Sequence, residues 1–443
     1  MYLFACLVLG GSAQGIWQNM VLQLAGIAII GWAAASRAEE PLVGPAKQLL
    51  LLAIVAIAVV ALQMAPLPPA VWSGLGPRHN LVEGYRALGL ALPALPLSMT
   101  PAASLDSLLG LIPPLAIFCS IVRLKAYRPS WLAIGLVAGT VAGILIGALQ
   151  VASASSEQSP WYLYEETNVG TAVGFFANAN HMATLLVVTL PFLAAIAASA
   201  RRASMQRYSA VLALTIGAAL LMLVGLALNG SLAGYGLALP VVAASALIIL
   251  PSGSRLRLGA VALAGALLIA AVIGLEATSI GSSKLGSEAT TSVQSREDIL
   301  ATTSRAMRDF LPFGSGLGSF RQVYQLYERP DQVTTTYVIH AHNDYAELAL
   351  ETGAAGILLM LLFLAWWAVA VWRVWRTAEA GPFARAASIA SAAMLVHSLV
   401  DFPLRTAAMS ACFAMCLALL ADRRAPPPKE ASDLRPARHA VIR

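Results

Sequence analysis

The sequence is cut into apolar runs long enough to cross a bilayer, and that division restricts the chain to a membrane-embedded bundle of helices. Runs of about 20 apolar residues, the helix length that spans the hydrocarbon layer, lie near 18–36, 47–64, 105–122, 131–150, 178–198, 208–228, 232–250, 258–275, 353–372, 384–400 and 405–421. A shorter run from Met1 to Gly10 brings the expectation to about twelve spans. It lacks a basic n-region and a small-residue cleavage site, so it reads as a short or tilted helix and not as a signal peptide. Composition excludes a soluble globule: 58% of residues are hydrophobic and 11% charged, against about 25% charged in ordinary domains. The net charge of +6 does not mark a nucleic-acid binder, because the basic residues fall in short clusters between apolar runs and form no stripe.

Those clusters set an orientation. Arg37 with Lys47, Arg123 with Lys125 and Arg128, Arg201 with Arg202 and Arg207, Arg255 with Arg257, Arg373 with Arg376 and Arg385, and the tail from Arg423 all fall on one side. Nineteen of the 28 lysines and arginines lie there, which by the positive-inside rule is the cytoplasmic side. The expected fold class is therefore all-α: a polytopic bundle forming a single integral membrane domain over residues 1–421, with outer loops at 65–104 and 276–352, the larger lying between spans 9 and 10. Residues 422–443 read as a disordered cytoplasmic tail. The 65–104 loop holds Pro66, Pro68, Pro69, Pro77, Pro93, Pro96 and Pro101, which argues for extended or turn structure over helix. No internal repeat of the transporter kind is evident. Cys6, Cys119, Cys412 and Cys416 all lie in apolar runs and cannot staple the outer loops.

A polar cluster, HAHNDYAELALETGAAG from His340 to Gly356, precedes the apolar run Ile357 to Ala370. It puts titratable groups at the mouth of a membrane span, where such residues are expensive and usually functional.

Here the residues carry a resemblance. His342-Asn343, followed after nine residues by Gly353 and Gly356, is similar to the signature of the O-antigen ligase and O-antigen polymerase superfamily. Three further blocks resemble that family in its order: GFFANANHMA (Gly174 to Ala183), SREDILATTSRAMRDFLPFGSGLGSF (Ser295 to Phe320) and HSLVDFPLR (His397 to Arg405). Relatives commonly show S-R-A or S-R-G where this chain reads Ser231, Leu232, Ala233, Gly234, so one family arginine is missing from its expected position. Arg305, Arg308 or Arg321 in the outer loop are candidates to replace it.

The resemblance implies transfer of a glycan from an undecaprenyl diphosphate carrier to an acceptor hydroxyl at the periplasmic face of the bacterial inner membrane. The acceptor must lose a proton as it attacks, and a histidine, with a reference pKa of about 6.5, suits that task; His342 is the candidate base. The leaving diphosphate calls for guanidinium groups, and Arg296 stands at the matching family position, with Arg321 as a further candidate. Asn180, Asn343 and Glu347 are candidate substrate contacts. No cofactor or metal is implied.

Each residue has a structural alternative. His342 could cap the helix that begins near Asn343, and His340 reads as its structural neighbour. Glu347 and Glu351, on one helical face with Asn343, could orient the base or bind sugar, or form a solvated first turn. Asn178, Asn180 and His181 could cap a helix. FGSGLGSF could bring amides to phosphate or form a plain turn. Asp401 is expected to pair with Arg405 and lock a turn, and Arg296 could pair with Glu297 or Asp298.

The leading expectation is an exopolysaccharide or O-antigen polymerase, slightly favoured over a lipopolysaccharide ligase that uses a lipid A-core acceptor. The alternatives are a protein O-oligosaccharyltransferase and a non-enzymatic polysaccharide or lipid transporter. Expected partners are the lipid-linked donor, a glycan or lipid A-core acceptor, membrane lipid and a chain-length regulator, with no nucleic acid.

Overall fold

The computed structural model describes residues 1–12, 17–36, 42, 44–153, 159–202, 204–250, 255–277, 284–330, 333, 337–377 and 380–422. The chain is almost entirely helical. Its first half holds α1 (Tyr2–Leu9), α2 (Trp17–Ala35), α3 (Gly44–Gln63), α4 (Pro69–Trp72), α5 (His79–Ala87), α6 (Pro101–Leu109), α7 (Ile112–Val122), α8 (Pro129–Ala152) and α9 (Ala179–Ser199). Its second half holds α10 (Met205–Asn229), α11 (Leu232–Ile249), α12 (Arg255–Ala277), α13 (Lys284–Phe310), α14 (Phe320–Tyr327), α15 (Asp344–Arg376), α16 (Pro382–His397) and α17 (Ala407–Ala421). Two short strands, β1 (Pro66–Leu67) and β2 (Leu95–Pro96), pair antiparallel.

Among the described residues, 8 helices are long and apolar enough to cross a membrane: α2, α3, the α6–α7 pair, α8, α9, α10, α11 and α15. The protein is a multi-pass membrane protein. The sequence reading expects about twelve spans; of the other four, α12 lies partly outside the described side chains, and α1, α16 and α17 have 8, 16 and 15 residues. At 1.5 Å per residue, α16 and α17 rise only about 22–24 Å, short of the roughly 30 Å hydrocarbon layer. The turn that joins them, residues 398–406, is thus set into the bundle, and Asp401 within it is fully buried.

The core lies where α9, α16 and α17 meet. α9 packs against α8, α10, α11 and α16, while α17 packs against α1, α7 and α16. Small residues permit close approach: Ala386, Ala387, Ala390, Ala408, Ala411 and Ala418 are completely or almost completely buried. In lipid, where tails are as apolar as leucine, such contacts drive helix association. Leu51, Ile54, Val55 and Leu62 of α3 and Leu214, Ile216 and Leu220 of α10 are exposed to the surroundings, as a lipid-facing rim requires.

The 65–104 segment corrects the expectation of an extended loop, since it forms α4, α5 and the start of α6. Pro69 and Pro101 occupy the first turn of their helices, where the missing N–H has no intrahelical acceptor to lose. Asp422, expected at the head of a disordered tail, is instead tethered by Lys125 Nζ at 2.6 Å and by the Tyr127 hydroxyl; residues 423–443 lie outside the described residues.

The 65–104 and 276–352 segments grip each other over a kink in α15. The Gln63 amide donates to the carbonyls of Phe313 and Glu351, both at 3.0 Å. Met99 N–H donates to Ser315 O, and the Ser104 hydroxyl to Leu317 O. α15 breaks at Gly353, whose φ of 63° and ψ of −152° fall in a region open essentially to glycine alone. A side chain there would also overlap the Pro312 carbonyl and the Gly314 amide. Gly353→Ala should therefore destabilise the protein by about 3 kcal/mol, checked by thermal unfolding in detergent micelles against Ala354→Gly as a neighbour control.

Candidate functional site

Four histidines and a phenylalanine converge where α9, the start of α15 and the 398–406 turn come together. Asn343 caps α15: its Oδ1 accepts the Ala346 N–H at 3.0 Å and its Nδ2 donates to Leu399 O at 3.0 Å. The cap role weighed for His342 thus belongs to its neighbour, and both polar atoms of Asn343 are already used within the fold. His342 immediately precedes the cap with φ 49°, a left-handed backbone uncommon outside glycine, though asparagine, aspartate and histidine adopt it more often than other residues. This conformation turns the imidazole toward the 398–406 turn.

His342 Nδ1 lies 3.3 Å from Asp401 Oδ1, with the histidine side chain 29% exposed and the aspartate fully buried. Oδ1 also accepts the Phe402 N–H at 2.9 Å. Burial opposes ionisation of Asp401, but the His342 hydrogen bond and the charges of His181 and His397 outweigh it and hold the carboxyl well below the usual carboxylate range. A carboxylate can only accept, so Nδ1 of His342 carries the proton. Nε2 is left as the basic lone pair, the arrangement that fits an imidazole to take a proton from a bound alcohol.

The expected Asp401–Arg405 pair is not formed. Arg405 lies among three carboxylates of α15 instead: its Nε is 3.4 Å from Asp344 Oδ1, and its Nη1 is 3.1 Å from Glu347 Oε1 and 3.4 Å from Glu351 Oε2. Helix α15 stacks these acids on one face at i, i+3 and i+7, and the guanidinium fork can reach several acceptors at once. Neither glutamate forms the solvated first turn considered from sequence, since both are buried. Glu347 is 1% exposed; its Oε1 accepts from His340 Nδ1 at 2.9 Å and its Oε2 from the Ala341 N–H at 2.7 Å. It therefore fixes the two residues that lead into His342. Glu351, also buried, accepts the Phe320 N–H at 3.1 Å.

That bond ties in the glycine-rich FGSGLGSF segment. Ser315 N–H donates to Leu350 O, Gly316 N–H to Glu351 O, and Ser319 N–H to Gly316 O. These amides are engaged within the protein, so the segment is a strap clamped over the α15 kink, neither a phosphate cradle nor a plain turn.

Phe402 is the hub of the cluster. Ring centroids of His340, His342 and His181 lie 4.1, 5.1 and 5.2 Å from its own. His397 Nδ1 is 2.6 Å from Thr184 Oγ1, whose hydroxyl also reaches Asn180 O at 2.8 Å. One hydroxyl proton cannot serve both acceptors, so Thr184 donates to the carbonyl and accepts from His397. Among the described residues, no three His, Cys, Asp or Glu side chains are grouped to hold one metal ion.

Asn178, not Asn180, caps α9, its side chain accepting the Asn180 N–H. The Asn180 Oδ1 accepts from the Ser231 hydroxyl at 2.7 Å, joining the starts of α9 and α11 beside the position of the missing family arginine. Arg296, half-buried on α13, lies near enough to His397 for its charge to act on that imidazole, and makes no ion pair with Glu297 or Asp298. Arg321 is exposed and stands 5.2 Å over the Tyr337 ring. The structure thus brings His342, Glu347, Asn343, Asn180 and Arg296 to one region and leaves Arg321 at its outer surface. Asp401 and Phe402 were not singled out from sequence as neighbours of the base; the four-residue spacing of His397 and Asp401 was the one local hint.

A family model described as O-antigen ligase matches residues 217–361. The matched stretch contains Arg296, the strap, His342 and the α15 kink, while His181, Asp401 and Arg405 lie outside it. None of the curated proteins compared with the chain matches it.

Asp401→Asn should lower stability at pH 7 by about 2 kcal/mol, the scale of a hydrogen bond to a charged group. Because the folded carboxyl is depressed, its contribution is complete above the unfolded value of about 3.9 and is lost as pH falls below it; the gap between variant and parent should narrow below about pH 4 in detergent-solubilised unfolding. Arg405→Ala leaves three carboxylates without their cation and should cost about 4 kcal/mol, with Arg405→Lys recovering only part by the same measurement.

Proposed function

We propose that this chain, whose residues 217–361 match a family model described as O-antigen ligase, is a member of the O-antigen ligase and polymerase superfamily and transfers a glycan from an undecaprenyl diphosphate carrier to an acceptor hydroxyl at the periplasmic face of the bacterial inner membrane. The observation that carries the reading is the His342–Asp401 pair: a partly exposed imidazole, its tautomer set by a buried carboxylate, just before the start of a membrane-spanning helix. In this scheme Nε2 of His342 takes the proton of the acceptor alcohol as its oxygen bonds to the anomeric carbon. The bond from that carbon to the carrier phosphate breaks, and the electron pair leaves with the diphosphate.

Arg296 binds the diphosphate as its charge grows. Its half-buried position, free of a carboxylate partner among the described residues, supports this role, since guanidinium groups match phosphate oxygens. Arg405 is unsuited to it, being surrounded by acids. With Ser231 and Leu232 at the place of a family arginine, polymerisation of a polysaccharide is preferred to ligation onto a lipid A core. The concentration of lysine and arginine on the opposite side supports a periplasmic position for the 276–352 segment and the site with it. A chain-length regulator is a natural partner for such a polymerase.

His342→Ala should reduce transfer by about 10² to 10⁴ with normal membrane insertion, and Arg296→Ala by roughly 10², read from surface polysaccharide gels of a deletion strain carrying each variant. Polymer of unchanged length and yield from the histidine variant would remove it as the base. In the deletion strain itself, loss of long chains with an intact single-repeat rung supports polymerase, whereas polymer stranded on its carrier identifies a ligase.

A further inference from the structure

Helix α5 carries an apolar stripe that the protein covers only in part, with Tyr85 half-buried and the two leucines beside it exposed. Leu81, Tyr85 and Leu88 recur at i, i+4 and i+7 and share one face, while His79, Glu83 and Arg86 repeat the same spacing on the opposite face. Val82, between the two, is the buried residue that seats the helix on the protein. Leu88 is 73% exposed and Leu81 38%, and Leu90, just past the helix end, is 56% exposed. A soluble protein rarely leaves such a stripe uncovered.

The position of α5 says what covers it. The excursion from Pro68 to Ala94 leaves the bundle five residues after α3 ends and is closed at its base by the β1–β2 pairing of Pro66 with Pro96. It therefore begins and ends at the membrane surface. Leu62, in the last turn of α3, is 71% exposed and continues the lipid-facing row of Leu51, Ile54 and Val55. Gln63, next to it, holds Glu351 and Phe313, so this surface is on the same side of the bundle as the histidine cluster. A helix with an apolar face, a charged opposite face and little net hydrophobicity is the kind that lies in the plane of a bilayer interface.

We propose that α5 is an interfacial helix, with Leu81, Tyr85 and Leu88 sunk among phospholipid acyl chains of the leaflet on the side of the histidine cluster. Its partner is the lipid surface, as an extension of the lipid contact already made by α3. The anchor also steadies the site, because the strand returning from α5 delivers Arg78-bound Pro96 and Leu97 and then Met99, whose N–H holds the strap at Ser315.

The test uses the full chain in vesicles of phosphatidylethanolamine and phosphatidylglycerol, with p-benzoylphenylalanine placed in separate variants at Leu81, Leu88 and Glu83. After irradiation, mass spectrometry should find about threefold or more phospholipid adduct at 81 and 88 than at 83, as burial of one face only requires. Equal adduct at the three positions would show a helix standing in water, and cross-links from 81 and 88 to protein would show a second chain or another segment on the stripe; either result overturns the proposal. Should one leucine variant fail to fold, as judged by gel filtration, the other decides.

Discussion

A single guanidinium holds the functional end of the bundle together. Arg405 enters from the short turn before α17 and meets Asp344, Glu347 and Glu351 on α15. Taking charges out of water is costly, and the attraction among them repays that cost only when geometry and further hydrogen bonds are good. Here they are supplied: Asp344 accepts from Ser398, Glu347 from Ala341 and His340, Glu351 from Phe320. Each acid thus passes the constraint of Arg405 to a different piece of backbone. The arginine positions the turn, the histidine segment and the strap together without touching His342.

Around that anchor the site divides into two layers. The inner layer is buried: His397, Thr184, Asp401, Glu347 and Glu351. The outer layer is half-exposed and offers His342, Arg296 and, at the surface, Arg321. Short α16 and α17 make the division possible, because their joining turn sinks a carboxylate beneath an imidazole that stays accessible. Strain at His342 is tolerated because neighbours on both sides are bonded: Ala341 N–H to Glu347 and Asp344 N–H to Ser398 O.

Much of this was legible in the chain. Apolar runs near 20 residues located most helices, and the polar interruption at His340 to Gly356 marked the segment that carries two of the four clustered histidines, because composition reports the solvent each segment faces. The partners of the site were not legible. Asp401 lies 59 residues from His342, and reasoning by helical neighbours paired it with Arg405, four residues on. The actual choice was made by α15, whose three acids outbid one aspartate for the guanidinium. Glycine content in FGSGLGSF signalled close backbone approach but not the surface approached, which proved to be the kink at Gly353. Prolines in the 65–104 segment were read as helix breakers, though at a first helical turn they are compatible with helix.

The left-handed backbone at His342 has a bearing on which residues can stand there. A glutamate, which could serve as a proton acceptor in another scaffold, would have to adopt a conformation that glycine, asparagine, aspartate and histidine take more readily. Substitution by such a base would therefore tend to relax the loop before any chemistry could be compared. The shape of one peptide unit, as well as the reactivity of a ring, narrows what the position can become.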